Sequence, residues 1–162
     1  MVDIKELIAT AIEFEHRGRE YYTKFHELVA DENAKALMKS LASDEKEHAE
    51  ILSRELAALG GKPKAPSKEM LAKGMAELFP EKIKRNSIAT KDAISAIKLG
   101  MRTEQRSIDF YSKNARNAGS KLKGIFEKLE KMERAHLEML EDNLKGLESG
   151  GSWYGYVPIL EG

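Results

Sequence analysis

LASDEKEHAEIL at residues 41–52 and LEKMERAHLEML at residues 129–140 agree at Leu, Glu, His, Glu and Leu once Glu45 is laid over Glu133 and His48 over His136. Each copy contains Glu-x-x-His. Residues three apart on a helix point the same way, about one turn from each other, so each pair can address a common ion. The likeness extends upstream. Glu15 is followed seven residues later by Tyr22, and Glu104 seven residues later by Tyr111. Glu45 lies 30 residues after Glu15 and Glu133 lies 29 after Glu104, so the two halves superpose with one residue lost in the turn. A pair of helices has been duplicated.

The rest of the chain is consistent with that reading. Prolines fall only at 63, 66, 80 and 158, leaving two long stretches without an obligatory helix breaker. Within them, four segments repeat with a period near 3.6 residues, at about 3–30, 32–59, 90–117 and 120–148. Asp3 and Thr90 are the expected N-caps, and Gly60-Gly61 and Gly150-Gly151 the expected stops. The predicted inward stripes are Ile4, Ile8, Ala11, Glu15, Gly18, Tyr22, Phe25, Val29; Ala34, Met38, Leu41, Glu45, His48, Leu52, Leu56, Leu59; Ala93, Ile97, Gly100, Glu104, Ser107, Tyr111, Ala115; and Leu122, Phe126, Leu129, Glu133, His136, Leu140, Leu144, Leu147. Short breaks make each pair an antiparallel hairpin, while residues 60–89, with a short helix from Ser67 to Phe79, are long enough to cross from one end of a bundle to the other. The expectation is an all-α four-helix bundle, one domain over 1–162, with the apolar tail 149–162 docked on the bundle or on a second subunit.

All six repeated ionisable groups, Glu15, Glu45, His48, Glu104, Glu133 and His136, sit on inward stripes. A carboxylate is rarely buried unless paired, because ionised it loses several kcal/mol of hydration in a low-dielectric interior. Four together also repel one another. Two divalent cations bring four positive charges and make the set formally neutral, and one Glu from each of two helices with Glu-x-x-His from the other two is the ligand pattern of di-metal carboxylate bundles. The spacing predicts that Glu45 and Glu133 bridge the ions, with Glu15 and His48 completing one position and Glu104 and His136 the other. No catalytic group separate from these ligands is expected. With no cysteine in the chain, thiolate sites and iron–sulfur clusters are excluded, and Glu and His donors suit iron, manganese or zinc.

Composition narrows the partners. Lys plus Arg and Asp plus Glu balance at 27 each, which gives no basic surface for nucleic acid. No apolar run reaches the roughly 20 residues that would span a bilayer, so a cytoplasmic protein without a membrane partner is expected. Glu13-x-x-His16 has the same spacing as the two repeated motifs but flanks the stripe, and reads as surface; His26 reads as surface or rim. Tyr22 and Tyr111 are either core tyrosines or donors to ligand carboxylates. Gly18 and Ser107, small inward residues one turn beyond Glu15 and Glu104, suit close helix packing, with room for a small oxidant as the alternative. Trp153 reads as an anchor for the tail.

The segments EHRGREYY, SDEKEHAEIL, TEQRSIDFY and MERAHLEML resemble the rubrerythrin-like branch of the ferritin-like superfamily, over nearly all of residues 3–148. The resemblance implies a carboxylate-bridged site for two iron ions on Glu15, Glu45, His48, Glu104, Glu133 and His136, with ferrous iron oxidised by O2 or H2O2. It departs in two places. Full-length rubrerythrins add a rubredoxin module with four cysteines, absent here, so electrons are expected from a separate donor protein. Rubrerythrins also carry a further glutamate where this chain has Ser107, which brings the ligand set closer to that of bacterioferritins. The short tail with Pro158 disfavours the fifth helix of cage-forming ferritins; tail and family habit lean towards a homodimer. Set against a redox enzyme are a non-catalytic metal-binding or buffering protein, for zinc, manganese or iron, and a helical interaction module whose Glu and His residues are merely solvated.

Overall fold

The computed structural model of the protein describes residues 3–155. Among them are five helices and no strand: α1 (Ile4–Leu28), α2 (Glu32–Ala58), α3 (Lys68–Leu78), α4 (Thr90–Ala115) and α5 (Ser120–Gly150). Local chemistry sets most of their ends. Asp3 caps α1 by accepting from the amides of Lys5 and Glu6, Asp31 caps α2 through Ala34 N, and Ser67 caps α3 through Met70 N. Gly151, in the left-handed region at φ 69°, terminates α5, a conformation that costs glycine nothing. The predicted cap at Thr90 is corrected: Thr90 is the first helical residue of α4, and Ala89 precedes it with no side-chain bond to the turn.

α1 pairs with α2 and α4 with α5, two antiparallel hairpins in a four-helix bundle. The core is split into two apolar clusters. One gathers Phe25, Leu28, Leu37 and Leu41 with Ala93, Ile97, Leu140 and Leu147; the other gathers Ile8, Ile12, Leu52 and Leu56 with Tyr111, Leu122, Phe126 and Leu129. The start of α4 shares the first cluster and the end of α2 the second, so the segment between them travels the length of the bundle. α3 packs on α1 along the way, and the segment finishes with the amides of Asn86 and Ile88 bonded to the carbonyls of Glu27 and Leu28. No helix among the described residues is long and apolar enough to cross a membrane.

The inward stripes are buried with few exceptions. Ile4 and Leu144 are half-buried, and Leu59 is corrected to exposed, at 47%, because the chain turns away from the bundle at Gly60, φ 79°. Helix α5 runs on to Gly150, two residues past its predicted end, and α1 stops at Leu28, two before. At the tail, the Trp153 ring meets the Phe25 ring edge-on at 5.7 Å. Asn143 accepts from the amides of Tyr154 and Gly155 at 2.8 and 2.9 Å and donates to the Gly155 carbonyl at 3.1 Å. The remaining apolar residues of the predicted docking tail, Tyr156, Val157, Ile159 and Leu160, lie outside the described residues.

Candidate metal centre

Between the two apolar clusters lies a polar layer. Each long helix contributes to it at mid-length: Glu15 from α1, Glu45 and His48 from α2, Glu104 from α4, Glu133 and His136 from α5. None is more than 5% exposed. Their ligand atoms form two overlapping sets, Glu15, Glu45, His48, Glu133 and Glu45, Glu104, Glu133, His136, each with all its atoms within 4.8 Å of one another. Glu45 and Glu133 belong to both sets. Glu13 and His16 lie outside, Glu13 exposed and His16 half-buried on the outer side of α1; His26 is likewise half-buried at the rim.

The histidines hold the layer together. His48 Nδ1 is 3.3 Å from both Glu15 Oε2 and Glu133 Oε1. His136 Nδ1 is 3.0 Å from Glu45 Oε1 and from Glu133 Oε2, and its Nε2 donates to Asp44 Oδ2 at 3.0 Å. The imidazole planes are nearly parallel, 15° apart. The tyrosines reach across the hairpins: the Tyr22 hydroxyl on α1 donates to Glu104 on α4, and the Tyr111 hydroxyl on α4 donates to Glu15 on α1.

The electrostatics identify what the layer lacks. Burial, and then the charge of Glu133, raise the pKa of Glu15; burial and the charges of Glu133, Glu15 and Glu104 push Glu45 well above the usual carboxylate range. Burial and the charge of Glu133 take Glu104 up to about 8, against the nearby His136 imidazole, which lowers it. Burial works to raise Glu133 as well, but the imidazoles of His136 and His48 beside it more than reverse this and hold its carboxyl well below the usual range. Burial would lower His48, yet the carboxylates of Glu133 and Glu15 raise it to about 10. Protons therefore stand in here for cations.

The residues fit a pair of divalent ions. No Lys or Arg enters the layer among the described residues; its ion pairs are all between histidine and carboxylate. Glu133 Oε2 is fully buried and accepts no hydrogen bond of good geometry, although His136 Nδ1 is close by; a lone pair so placed is offered to something other than a protein donor. The Glu45 carboxylate packs directly on Gly18, where an added Cβ would lie 3.0 Å from Oε2.

Three polar groups, Tyr21 and Asn143 buried and Asp44 half-buried, were not visible from the stripes. Tyr21 is buried beside Gly100 and donates to the Ala96 carbonyl at 2.7 Å. Asn143 sits opposite the tail. Asp44 stands one residue off the stripe, and its counterpart in the repeat is Met132, so the duplication that marked the ligands gave no sign of it.

A profile of the rubrerythrin family matches residues 6–144. No curated protein sequence matches the chain. Among solved structures, a hypothetical protein of Pyrococcus furiosus superposes with a TM-score of 0.73 at 22% identity, covering 94% of each chain. A dodecameric thioferritin, the bacterioferritin-related protein of Bacteroides fragilis, reaches 0.69 at 19% identity over 91% of this chain and 89% of its own. The bacterioferritin of Desulfovibrio desulfuricans, described with a diiron site, reaches 0.56 at 17% identity over 93% of this chain and 87% of its own. These three likenesses establish the shared helical bundle. With its profile match spanning both repeats, the chain belongs to the rubrerythrin family.

Proposed function

We propose that the protein is a di-iron oxidoreductase that oxidises ferrous iron while reducing O2 or H2O2. The observation that carries this reading is the pair of overlapping buried ligand sets sharing Glu45 and Glu133. Glu15 and His48 would complete one position, Glu104 and His136 the other. When bound, a ferrous pair supplies two electrons, which with two protons reduce O2 to H2O2 or H2O2 to two waters. The protein's part is spacing, charge balance and shelter. The Tyr111 and Tyr22 hydroxyls fix the terminal carboxylates of Glu15 and Glu104. Gly18, lacking a Cβ, lets the Glu45 carboxylate lie close against α1. The apolar clusters on either side keep bulk water away. Electrons for further turnovers come from a separate donor protein, and no cysteine is present for a rubredoxin-type centre.

Anaerobic loading with ferrous iron, followed by stoichiometric O2 or H2O2, tests the proposal. Two irons per chain should turn ferric within one addition, giving a near-ultraviolet absorption that Glu45→Ala and Glu133→Ala lose. Two irons that bind but stay ferrous would leave a metal-buffering role, which the same oxygen and imidazole donors serve equally well for zinc or manganese.

A further inference from the structure

The internal repeat makes the two halves of the centre comparable position by position, and behind the two histidines they differ. Laying Glu45 on Glu133 puts Asp44 on Met132. Asp44 Oδ2 accepts a hydrogen bond from His136 Nε2, the ring nitrogen facing away from the other carboxylates. His48 has no such bond among the described residues: its contacts with Glu15 and Glu133 are all through Nδ1. The residue that the repeat would assign to its support is Met132, whose thioether is a weak acceptor and carries no charge.

The groups that would hold the ions match between the halves, although Gly18 on one side stands where Ser107 stands on the other. Both positions share Glu45 and Glu133, and each terminal glutamate receives a tyrosine hydroxyl from the opposite hairpin. Both histidines come from Glu-x-x-His on equivalent helices. The difference that bears directly on a ligand histidine is Asp44. A carboxylate on the far nitrogen of a metal-bound imidazole fixes its tautomer and ring orientation and strengthens it as a donor, and removing such a partner typically costs about 10- to 100-fold in metal affinity.

We infer that the two metal positions are unequal, with Asp44 as the positioning residue that makes the Glu104–His136 position fill first and hold its ion more tightly than the Glu15–His48 position. This rests on the di-metal reading above. The protein then has one ion held more tightly and one held less tightly.

Calorimetric titration of the apoprotein with Co2+, which is not oxidised during the measurement, separates the possibilities. Wild-type protein should bind two ions in steps about 10- to 100-fold apart. His48→Ala should keep the tight step and His136→Ala should lose it. Asp44→Ala, at a side chain 23% exposed and so tolerant of truncation, should weaken the tight step alone until the two steps merge. Asp44→Asn, which keeps an acceptor without the charge, should restore part of the gap, and Met132→Asp should close it by strengthening the weak step. Two indistinguishable steps in the wild type, or equal weakening of both by Asp44→Ala, overturns the inference while leaving a di-metal centre standing. No Co2+ binding by the folded wild type removes the di-metal reading and the inference with it.

Discussion

Gly18→Ala separates the part of Gly18 that serves the helix from the part that serves the centre. An alanine Cβ there would lie 3.0 Å from Glu45 Oε2 and 3.1 Å from its Cδ, closer than side-chain atoms normally rest. Because those atoms end a flexible side chain, the carboxylate retreats by a few tenths of an ångström and the backbone stays. Replacing a helical glycine by alanine gains about 1 kcal/mol, whereas crowding a packed interior costs about 1–3 kcal/mol. With an obstacle this soft the two nearly offset, and the apoprotein should melt within about 4 °C of wild type. Metal binding has less tolerance, since metal–ligand distances are held to about 0.2 Å. Glu45 belongs to both ligand sets, so a shift of that size should lower affinity about tenfold. At fixed saturating metal, each tenfold loss removes about 1.4 kcal/mol of metal-induced stabilisation, or roughly 3–6 °C in Tm. Differential scanning calorimetry with and without Co2+ reads both quantities. Gly124→Ala, on the exposed side of α5 with nothing within 4 Å, is the control: it should raise Tm with no effect on the metal-induced rise. If Gly18→Ala behaves like Gly124→Ala in metal as well as without it, Glu45 does not bind metal where the structure puts it.

The apoprotein should grow less stable as pH rises from about 6 to about 10. Glu104 is raised from 4.5 to about 8 by burial, so the fold favours its neutral form and that advantage fades between those values. His48, lifted from 6.5 to about 10 by Glu133 and Glu15 against its burial, contributes fully below 6.5 and loses its contribution as pH climbs through 10. Glu133 acts oppositely, but its depressed pKa puts that loss on the acid side. Melting temperatures across this range should slope downward for apoprotein and flatten with zinc bound; parallel curves would contradict the assignment. Gly100→Ala should destabilise by about 1–3 kcal/mol in urea, because its Cβ would sit 2.6 Å from Tyr21 Cζ and that ring, stacked on Phe79, has nowhere to go. Asn143→Ala frees the amides of Tyr154 and Gly155, so limited proteolysis should clip the chain after Trp153 or Tyr154 several times faster than in wild type, with little change at the metal centre.

What the sequence made legible follows from what helical periodicity measures. It reports which arc of a helix faces inward, and Glu15, Glu45, His48, Glu104, Glu133 and His136 are all on that arc and all repeated, so their convergence could be anticipated without knowing the angle between any two helices. Helix ends marked by Asp3, Gly60 and Gly151 were also readable, because caps and left-handed glycines act locally. Thr90 misled because a residue suited to capping can equally begin the first turn. Tyr21, Asp44 and Asn143 were out of reach for a different reason. Each lies at the edge of its arc and is met by another element: α4 for Tyr21, α5 for Asp44 and the tail for Asn143. A helix in a bundle touches two neighbours, so its covered arc is wider than one stripe, and which group waits across the second seam is a property of tertiary packing.

The crossing of the two phenols bears on how such a chain could arise. Tyr22 braces a carboxylate of the second hairpin and Tyr111 one of the first, so neither half carries its own support. A single ancestral hairpin would have been incomplete alone and complete only when two copies embraced, each lending the other its tyrosine. Gene duplication then converted an encounter between molecules into an encounter within one, and released the two halves to diverge, as Asp44 and Met132 have done.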